Sequence, residues 1–344
     1  MPLSASSAAA SIRAGWSLGN TLDAVKRSAA PGEIVPPMES ETAWFNPPCT
    51  RELIRAVGQA GFDCVRLPVT WAQHMAPSGE VDPAWMDRVA EVTGWVLDEG
   101  LFCVLNVHHD AGARGWLHAS RAHWDAVSGR FASLWRQIAD RFADRCGRLI
   151  FEGFNEMLDA EARWTQPVDP EDHAWLNRFN QLFVDTVRAS GGNNPERILS
   201  VQTYSGASVP STLAGFVLPR DTVPDRLLLQ VHNYDPEGFC WRRAEGRVLR
   251  DTWGTEEDLR EIDALMTRLA AFSAEHGCPV MIGEFGTEDK GNPDARLRHA
   301  AAFTRAAREK GIPCFWWDCG FFALFDRHTG AVTQPALVRA LMPG

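Results

Sequence analysis

The hydrophobic positions of this chain follow two alternating spacings. Stretches with an apolar residue every three or four positions end at a glycine, and a short run of consecutive apolar residues follows. The first spacing is typical of an amphipathic helix, and the second of a strand that is buried on both faces. One such unit runs from Leu53, Ile54 and Val57 through Gly61 to the apolar run 62–67. Because glycine readily adopts the left-handed conformation after the last helical turn, the pattern predicts short helix-to-strand joints.

This unit recurs along the whole chain and gives eight candidate strands. They cover residues 15–18, 62–67, 101–107, 149–156, 198–201, 227–231, 278–284 and 312–317. The segments that follow strands are long, aperiodic and rich in Pro, Gly, Asp and Trp; the longest are 19–49, 109–128, 157–173 and 233–255. Long strand-to-helix loops with short return joints predict an α/β fold, a single (β/α)8 TIM barrel over 1–344 whose working face lies at the strand C-termini.

A doubly wound open sheet is the alternative architecture. It would need a glycine-rich phosphate loop after the first strand, and residues 15–20 lack the GxGxxG spacing. The barrel is therefore favoured, with no internal domain boundary. We expect residues 1–11, which are small and polar, to form a flexible leader.

Composition and charge exclude several kinds of partner. The 344 residues are 45% apolar, enough for a large core, and the net charge of -10 argues against nucleic acid. No run of eighteen apolar residues is present, which argues against a membrane span. The eight cysteines include no CxxC pair, so we expect free thiols rather than a metal site or a disulfide framework. We expect a monomer.

Two candidate strands end in a carboxylate. Glu156 closes the run that begins at Leu149, and Glu284 closes the run that begins at Cys278. A strand that is apolar until its last residue delivers that residue to the rim of the sheet. Two carboxyl groups facing one substrate are the requirement of glycoside hydrolysis, which is the commonest chemistry of this kind.

Other strand ends are also polar or aromatic. The residues at or next to these ends are Asn20, Arg66, His108, Asn155, Glu156, His232, Tyr234, Glu284 and Trp317. One polar strand end is ordinary solvation, but nearly every strand ending this way indicates a functional face.

In combination, the motifs around these positions resemble glycoside hydrolase family 5, the clan A retaining β-glycanases, over nearly the whole chain. The matching segments are 15–24, 41–44, 65–71, 106–110, 154–156, 231–234, 282–286 and 316–318. The first two segments and the Trp-Trp-Asp end are most similar to the endo-β-1,4-glucanase and xyloglucanase subfamily, the cellulases that act on cellulose, xyloglucan and mixed-linkage glucan.

The resemblance implies a role for each residue of the catalytic group. Glu156 would be the general acid/base, with a raised pKa, and Glu284 the nucleophile, held ionised near Arg66. Tyr234 would hydrogen-bond Glu284, and His232 would position the acid/base.

The resemblance also implies the substrate contacts, with a β-glucan as the partner and no cofactor or metal. Asn155 would bind the sugar 2-hydroxyl, His108 would line the subsite beside the cleaved bond, and Trp317 would form its floor. Further supporting positions are Asn20, Trp44, His109 and Asp318. Trp71 and Trp241 lie near strand ends and are equally balanced between sugar contact and core.

Four residues depart from the usual pattern of the resembled family: Phe45 replaces an expected glycine, Met157 a proline, Cys319 an asparagine, and Asn233 an aromatic residue. All four affect which glucan fits, so β-mannan or β-1,3-glucan stays open as the substrate. A non-catalytic sugar-binding barrel would lose one of the two glutamates, and both are present.

A metal at His108-His109-Asp110 is disfavoured because adjacent strand residues point to opposite faces. The resemblance implies secretion, whereas residues 1–11 show no signal peptide, so a cytoplasmic location remains the alternative.

Overall fold

The computed structural model describes residues 3–164, 167, 169–243, 246 and 248–342. Eight parallel strands follow one another around a closed barrel, and the last strand pairs with the first. The strands are β1 Gly15–Leu18, β2 Cys64–Leu67, β3 Phe102–Asn106, β4 Leu149–Glu152, β5 Leu199–Ala207, β6 Leu227–His232, β7 Val280–Phe285 and β8 Cys314–Asp318. The predicted (β/α)8 TIM barrel is confirmed.

Helices connect the strands on the outside of the barrel, and shorter helices lie in the loops. Their bounds are α1 Ala5–Ser11, α2 Pro37–Glu41, α3 Arg51–Gln59, α4 Pro83–Asp98, α5 Arg121–Arg141, α6 Asp172–Arg188, α7 Pro210–Ala214, α8 Glu237–Cys240, α9 Glu256–His276, α10 Pro293–Glu309 and α11 Pro335–Leu341. Capping residues explain several of these ends. The Asp82 carboxylate accepts from the Trp85 N–H at the start of α4, and Gly277 ends α9 with φ 58°.

Two strand boundaries differ from the sequence prediction by more than two residues. Strand β4 ends at Glu152, four positions before Glu156, and β5 runs on to Ala207 instead of ending at Val201. Glu156 therefore belongs to the loop after β4, and it has a left-handed backbone with φ 40°.

The inside of the barrel has two layers. Its lower layer is apolar and belongs to one buried cluster, which includes Cys64, Val104, Ile150, Ile198, Leu228, Met281 and Phe315. Two positions further along the strands, the same face carries buried polar groups: Arg66, Asn106, Glu152, Ser200 and Gln230. The period of two along each strand thus places a polar floor beneath the strand C-termini.

The prediction of a flexible leader over residues 1–11 is wrong for the part that the structure describes. Residues 5–11 form α1, whose Ala5 and Ala8 are fully buried against the lower layer of the barrel. The Ser4 side chain caps this helix, and the Ala5 N–H donates to the Asp225 carbonyl. Small side chains let the helix lie close to the barrel floor, so the lack of large apolar residues reflects tight packing.

All eight cysteines are free thiols, and seven of them are buried. Among the described residues, no helix combines the length and the apolar character that crossing a bilayer requires.

Candidate active site

Glu284 reaches the barrel interior through an irregularity in β7. Val231 pairs with Ile282 and His232 pairs with Glu284, so Gly283 is an extra residue in the register. Without it, strict alternation would direct Glu284 to the helix side of the sheet, because Met281 already faces inward. A Cβ atom at Gly283 would lie 2.4 Å from the Gln230 side chain, so a larger residue here would displace that side chain.

Glu156 reaches the same place from a loop. Its backbone N–H donates to Gln202 Oε1 at 2.6 Å, which fixes the loop on β5. A non-glycine residue in the left-handed region carries backbone strain that surrounding contacts must hold.

The two glutamates meet, with His232 beside them. One carboxylate oxygen of each glutamate and a ring nitrogen of His232 all lie within 4.8 Å of one another. His232 Nδ1 lies 2.7 Å from Glu156 Oε1 and 3.8 Å from Glu284 Oε2. Retaining glycosidases have carboxyl groups about 5–5.5 Å apart, and inverting enzymes roughly 6.5–9.5 Å, so the spacing fits direct attack by one carboxylate.

Arg66 organises the floor of this site. Its guanidinium binds both oxygens of Glu152 at 2.8 Å, Glu284 Oε1 at 2.7 Å and Asn155 Oδ1 at 2.8 Å. Arg66 and Glu152 are fully buried. Burial disfavours the charge on Arg66, but Glu152 and Glu284 outweigh it and raise its pKa. Burial would raise the pKa of Glu152, and Arg66 reverses this, so that its pKa is lowered.

The groups around Glu284 have opposing effects on its pKa. Burial raises its pKa and the nearby Glu156 charge adds to the rise, while His232 and Arg66 oppose it; the pKa ends above its ordinary value. The Tyr234 hydroxyl donates to Glu284 Oε2 at 2.9 Å. Burial and the Glu284 charge raise the pKa of Tyr234 well above its usual range, so the phenol stays a donor.

His232 is held from behind by two amides. Gln230 Nε2 and Gln202 Nε2 lie 3.1 and 3.3 Å from His232 Nε2, and Gln202 Oε1 is already engaged by the Glu156 N–H. Amide donors at Nε2 favour the tautomer with the proton on Nδ1, directed at Glu156. Burial lowers the pKa of His232, but Glu284 and Glu156 outweigh it, and the pKa is raised.

His108 and Trp317 form one wall of the site. Their rings are parallel within 9°, with centroids 5.7 Å apart. Asn106 Nδ2 contacts His108 Nδ1 at 3.0 Å, which leaves Nε2 as the protonated nitrogen. Burial, with smaller contributions from His109 and Arg66, lowers the pKa of His108 well below its usual range. A neutral histidine of this kind donates to a hydroxyl without adding a charge.

Three adjoining cavities form one groove over these residues. The central cavity, about 550 Å³, is lined by Glu156, Glu284, His232, Tyr234, Trp241 and Trp317. The middle cavity, about 480 Å³, shares His109, Asn155, Glu156 and Trp164 with the central one. The outer cavity, about 650 Å³, shares Val25, Arg27 and Trp44 with the middle one and adds Asn20 and Phe45.

The structure places most of the predicted site residues along this groove. Asn20 lies in its outer part, away from the two glutamates, and Trp44 lies where the outer and middle cavities join. Asp318 lines none of the three cavities: it is fully buried and accepts hydrogen bonds from Trp16 Nε1 and the Leu324 N–H, so it supports the loop after β8. Trp71 is also core, whereas Trp241 lines the central cavity.

The strand-alternation argument against a shared ion at His108 and His109 does not apply here. Strand β3 ends at Asn106, so strand alternation does not govern the next two residues. Ligand atoms of Asp23, His108 and His109 lie within 4.8 Å of one another. His109 Nε2 lies 3.4 Å from Asp23 Oδ2, which is within ion-pair distance.

Sequence reasoning missed several residues that support or line the site. Asn106 and Gln230 lie two positions before predicted strand-end residues, so the strand period was a usable signal. Glu152 and Gln202 carried no comparable signal, because they act through Arg66 and Glu156. Trp164, 54% exposed, lines both the central and the middle cavity from the long loop after β4.

The cellulase family, glycosyl hydrolase family 5, matches residues 28–322. The chain belongs to glycosyl hydrolase family 5. The prediction of a glycoside hydrolase of the endoglucanase type is thereby confirmed.

Two curated relatives of this family 5 chain are similar over most of its length. Endoglucanase A of Ruminococcus albus is 36% identical over 92% of this chain and 86% of its own length. Cellulase/esterase CelE of Acetivibrio thermocellus is 36% identical over 97% of this chain. The chain spans only 39% of the length of CelE.

Solved structures of family 5 enzymes are also similar. A broad-specificity endoglucanase from Ruminococcus champanellensis with bound cellotriose has a TM-score of 0.92 and 36% identity, with 100% and 99% of the chains covered. PbGH5A from Prevotella bryantii, with a xyloglucan tetradecasaccharide, has a TM-score of 0.89, 34% identity and coverage of 99% and 98%. A lichenase from Caldicellulosiruptor sp. F32 with cellotetraose has a TM-score of 0.91, 33% identity and coverage of 98% and 94%.

Proposed function

We propose that the protein is a retaining endo-β-1,4-glucanase that hydrolyses a β-glucan by double displacement. The observation that carries the proposal is the contact distance between Glu156 and Glu284, each of which offers an oxygen within 4.8 Å of the other. That spacing leaves too little room for a water between the carboxylate and the sugar, as inversion requires.

In the first step, Glu284 attacks the anomeric carbon while Glu156 protonates the departing glycosidic oxygen. Arg66 and Tyr234 each hold one oxygen of Glu284 and so orient it for attack. Asn155 offers its amide nitrogen to the sugar, since its oxygen is held by Arg66. In the second step, Glu156 takes a proton from water, and the hydroxide displaces Glu284 from the sugar.

The substrate class rests on similarity and on the form of the groove. The three structural relatives bind cellotriose, a xyloglucan tetradecasaccharide and cellotetraose. The groove continues through three adjoining cavities and places Trp317, Trp241 and Trp164 beside the proposed catalytic pair. Such a groove suits a polysaccharide that binds through the middle of its chain, and this supports endo action. We propose both cellulose-like glucans and xyloglucan as substrates.

The deciding experiment compares Glu156→Gln with Glu284→Ala. We expect Glu284→Ala to lose activity on every substrate. Glu156→Gln should lose about 10²–10⁴-fold on polymeric glucan. It should lose far less on an aryl cellobioside with a good leaving group, because that group needs little protonation.

An equal loss by Glu156→Gln on both substrates would contradict its assignment as the acid. NMR of the first-formed product should show the β-anomer, and α-product would exclude retention. The substrate class is tested by side-by-side assays on carboxymethylcellulose, xyloglucan, lichenan, xylan and mannan. Faster hydrolysis of mannan than of the glucans would contradict a β-glucan substrate.

A further inference from the structure

Phe45 is the most exposed large apolar side chain among the described residues, at 98%. Its backbone lies in the left-handed region with φ 75°, which costs free energy for a residue with a bulky side chain. An aromatic ring that is both solvated and held in a disfavoured conformation contributes nothing to the core. The position therefore has no structural reason to be Phe.

The neighbours of Phe45 are fixed on both sides. The Trp44 ring packs against His109 with centroids 5.1 Å apart. Asn46 Nδ2 donates to the carbonyls of Asn20 at 2.8 Å and Gly19 at 3.3 Å, directly after β1. These two anchors hold the backbone between them, so the Phe45 ring projects from a fixed support.

This support lies on the groove that contains the catalytic pair. Phe45 lines the outer cavity, which joins the middle cavity through Trp44 and Arg27. The middle cavity reaches Glu156 directly. A sugar chain that leaves the catalytic pair in this direction passes Trp44 and then arrives at Phe45.

The surroundings fit a pyranose ring. Sugar rings have apolar C–H faces that pack on aromatic rings, and hydroxyls at their edges that need hydrogen-bond partners. Asn20, Lys26 and Glu39 line the same outer cavity and supply such partners. The Trp44 ring is less available, because His109 and the Arg27 guanidinium already lie against it.

We propose that Phe45 is a specificity-determining residue, an aromatic platform for an outer sugar ring of a bound β-glucan, which makes the enzyme favour long chains. This proposal rests on the proposed function and adds a binding position to its groove. It also gives a role to the departure from the family pattern at this position, where Phe45 replaces an expected glycine.

The test compares Phe45→Ala, Phe45→Gly and Phe45→Trp with the unaltered protein. For each, kcat/KM is measured on cellohexaose and on an aryl cellobioside. We expect the ratio of the two to fall about three- to tenfold in the Ala and Gly variants. The Trp variant should retain the ratio. Val217→Ala, which removes an exposed apolar side chain outside the three cavities, is the matched control and should change neither value.

Thermal unfolding distinguishes an effect of the Phe45 substitutions on sugar binding from an effect on the stability of the fold. Glycine adopts φ 75° without strain, so the midpoint of Phe45→Gly should be unchanged or higher. A lower midpoint would show a structural role and overturn the proposal, as would an unchanged ratio in an active enzyme. If the unaltered protein hydrolyses none of the glucans, the proposed function itself fails, and the platform fails with it.

Discussion

At the scale of single residues, the site concentrates backbone strain. Six described non-glycine residues have positive φ, and four of them line the groove: Asn20, Phe45, Glu156 and Ser205. Strained residues persist where surrounding contacts over-determine them, and they tend to cluster at functional sites. Hydrogen bonds supply this restraint here, through Gln202 for Glu156 and through Asn46 for Asn20. The groove is thus pre-shaped at some cost in folding free energy.

The buried charges of the site give a prediction about stability. Arg66→Met leaves Glu152 and Glu284 buried without their cation, and we expect it to lower the free energy of unfolding by about 3–5 kcal/mol. Urea denaturation measures this loss. The control is Arg51→Met, which breaks an exposed pair with Asp98 and should cost less than about 1 kcal/mol. Equal losses in both variants would show that the buried ion pairs stabilise the fold no more than an exposed ion pair does.

The electrostatics of Glu284 give a prediction about pH. The proposed nucleophile must be ionised, so activity falls as the pH drops through its pKa. Burial raises that pKa, and the Glu156 charge adds to the rise. Glu156→Gln removes this charge, so the acid limb of kcat/KM should move to lower pH.

An aryl cellobioside with a good leaving group makes the profile of Glu156→Gln measurable, since kcat/KM reports the free enzyme. An acid limb that stays in place or moves to higher pH would contradict the coupling between the two carboxylates.

At the scale of elements, α1 closes the end of the barrel opposite the site. Its buried alanines belong to the same cluster as Ile150, Leu228 and Met281, which fill the lower layer. The helix is short and carries no charge in its first or last turn. Its stability therefore comes from packing on the barrel floor, because an isolated helix of this length is marginal in water.

Two alanines of α1 give a matched pair of variants. Ala8 is fully buried, whereas Ala10 is exposed on the same helix. Ala8→Asp buries an unpaired charge and should lower the free energy of unfolding by at least about 2 kcal/mol. Ala10→Asp should change it by no more than about 0.5 kcal/mol. Similar denaturation midpoints for the two variants would mean that α1 is not docked in solution.

At the scale of the whole molecule, the fold depends on burial and on no covalent cross-link among its eight cysteines. Cys146 alone of the eight is exposed. Burial raises the pKa of the others with a resolved shift, to about 12 for Cys49, Cys278 and Cys314. Buried protonated thiols react slowly with thiol reagents.

A thiol-reactive dye gives the corresponding test. We expect it to label one thiol in the folded protein and all eight after denaturation, and Cys146→Ser should abolish the fast phase. A reducing agent should leave the thermal midpoint unchanged. Fewer than eight labelled thiols in the denatured, unreduced protein would reveal a disulfide.

Much of the barrel was predictable because its information is local. Apolar periods and glycine stops set the strands and helices, and every predicted strand has its counterpart. The prediction failed for α1, where composition indicated flexibility, since small residues also allow very close packing. It also extended β4 to Glu156, because nothing local marks where the ladder to β5 ends.

The sequence by itself determined the barrel and the family and singled out the two candidate glutamates, because these depend on periodicity and on motifs that lie within a few residues. Only the tertiary structure decided that Gly283 shifts the register of β7 and turns Glu284 inward. It also decided that Glu152 neutralises Arg66, and that Phe45 projects over the groove. These features depend on contacts between residues far apart in the chain, and such contacts exist only once the barrel has closed.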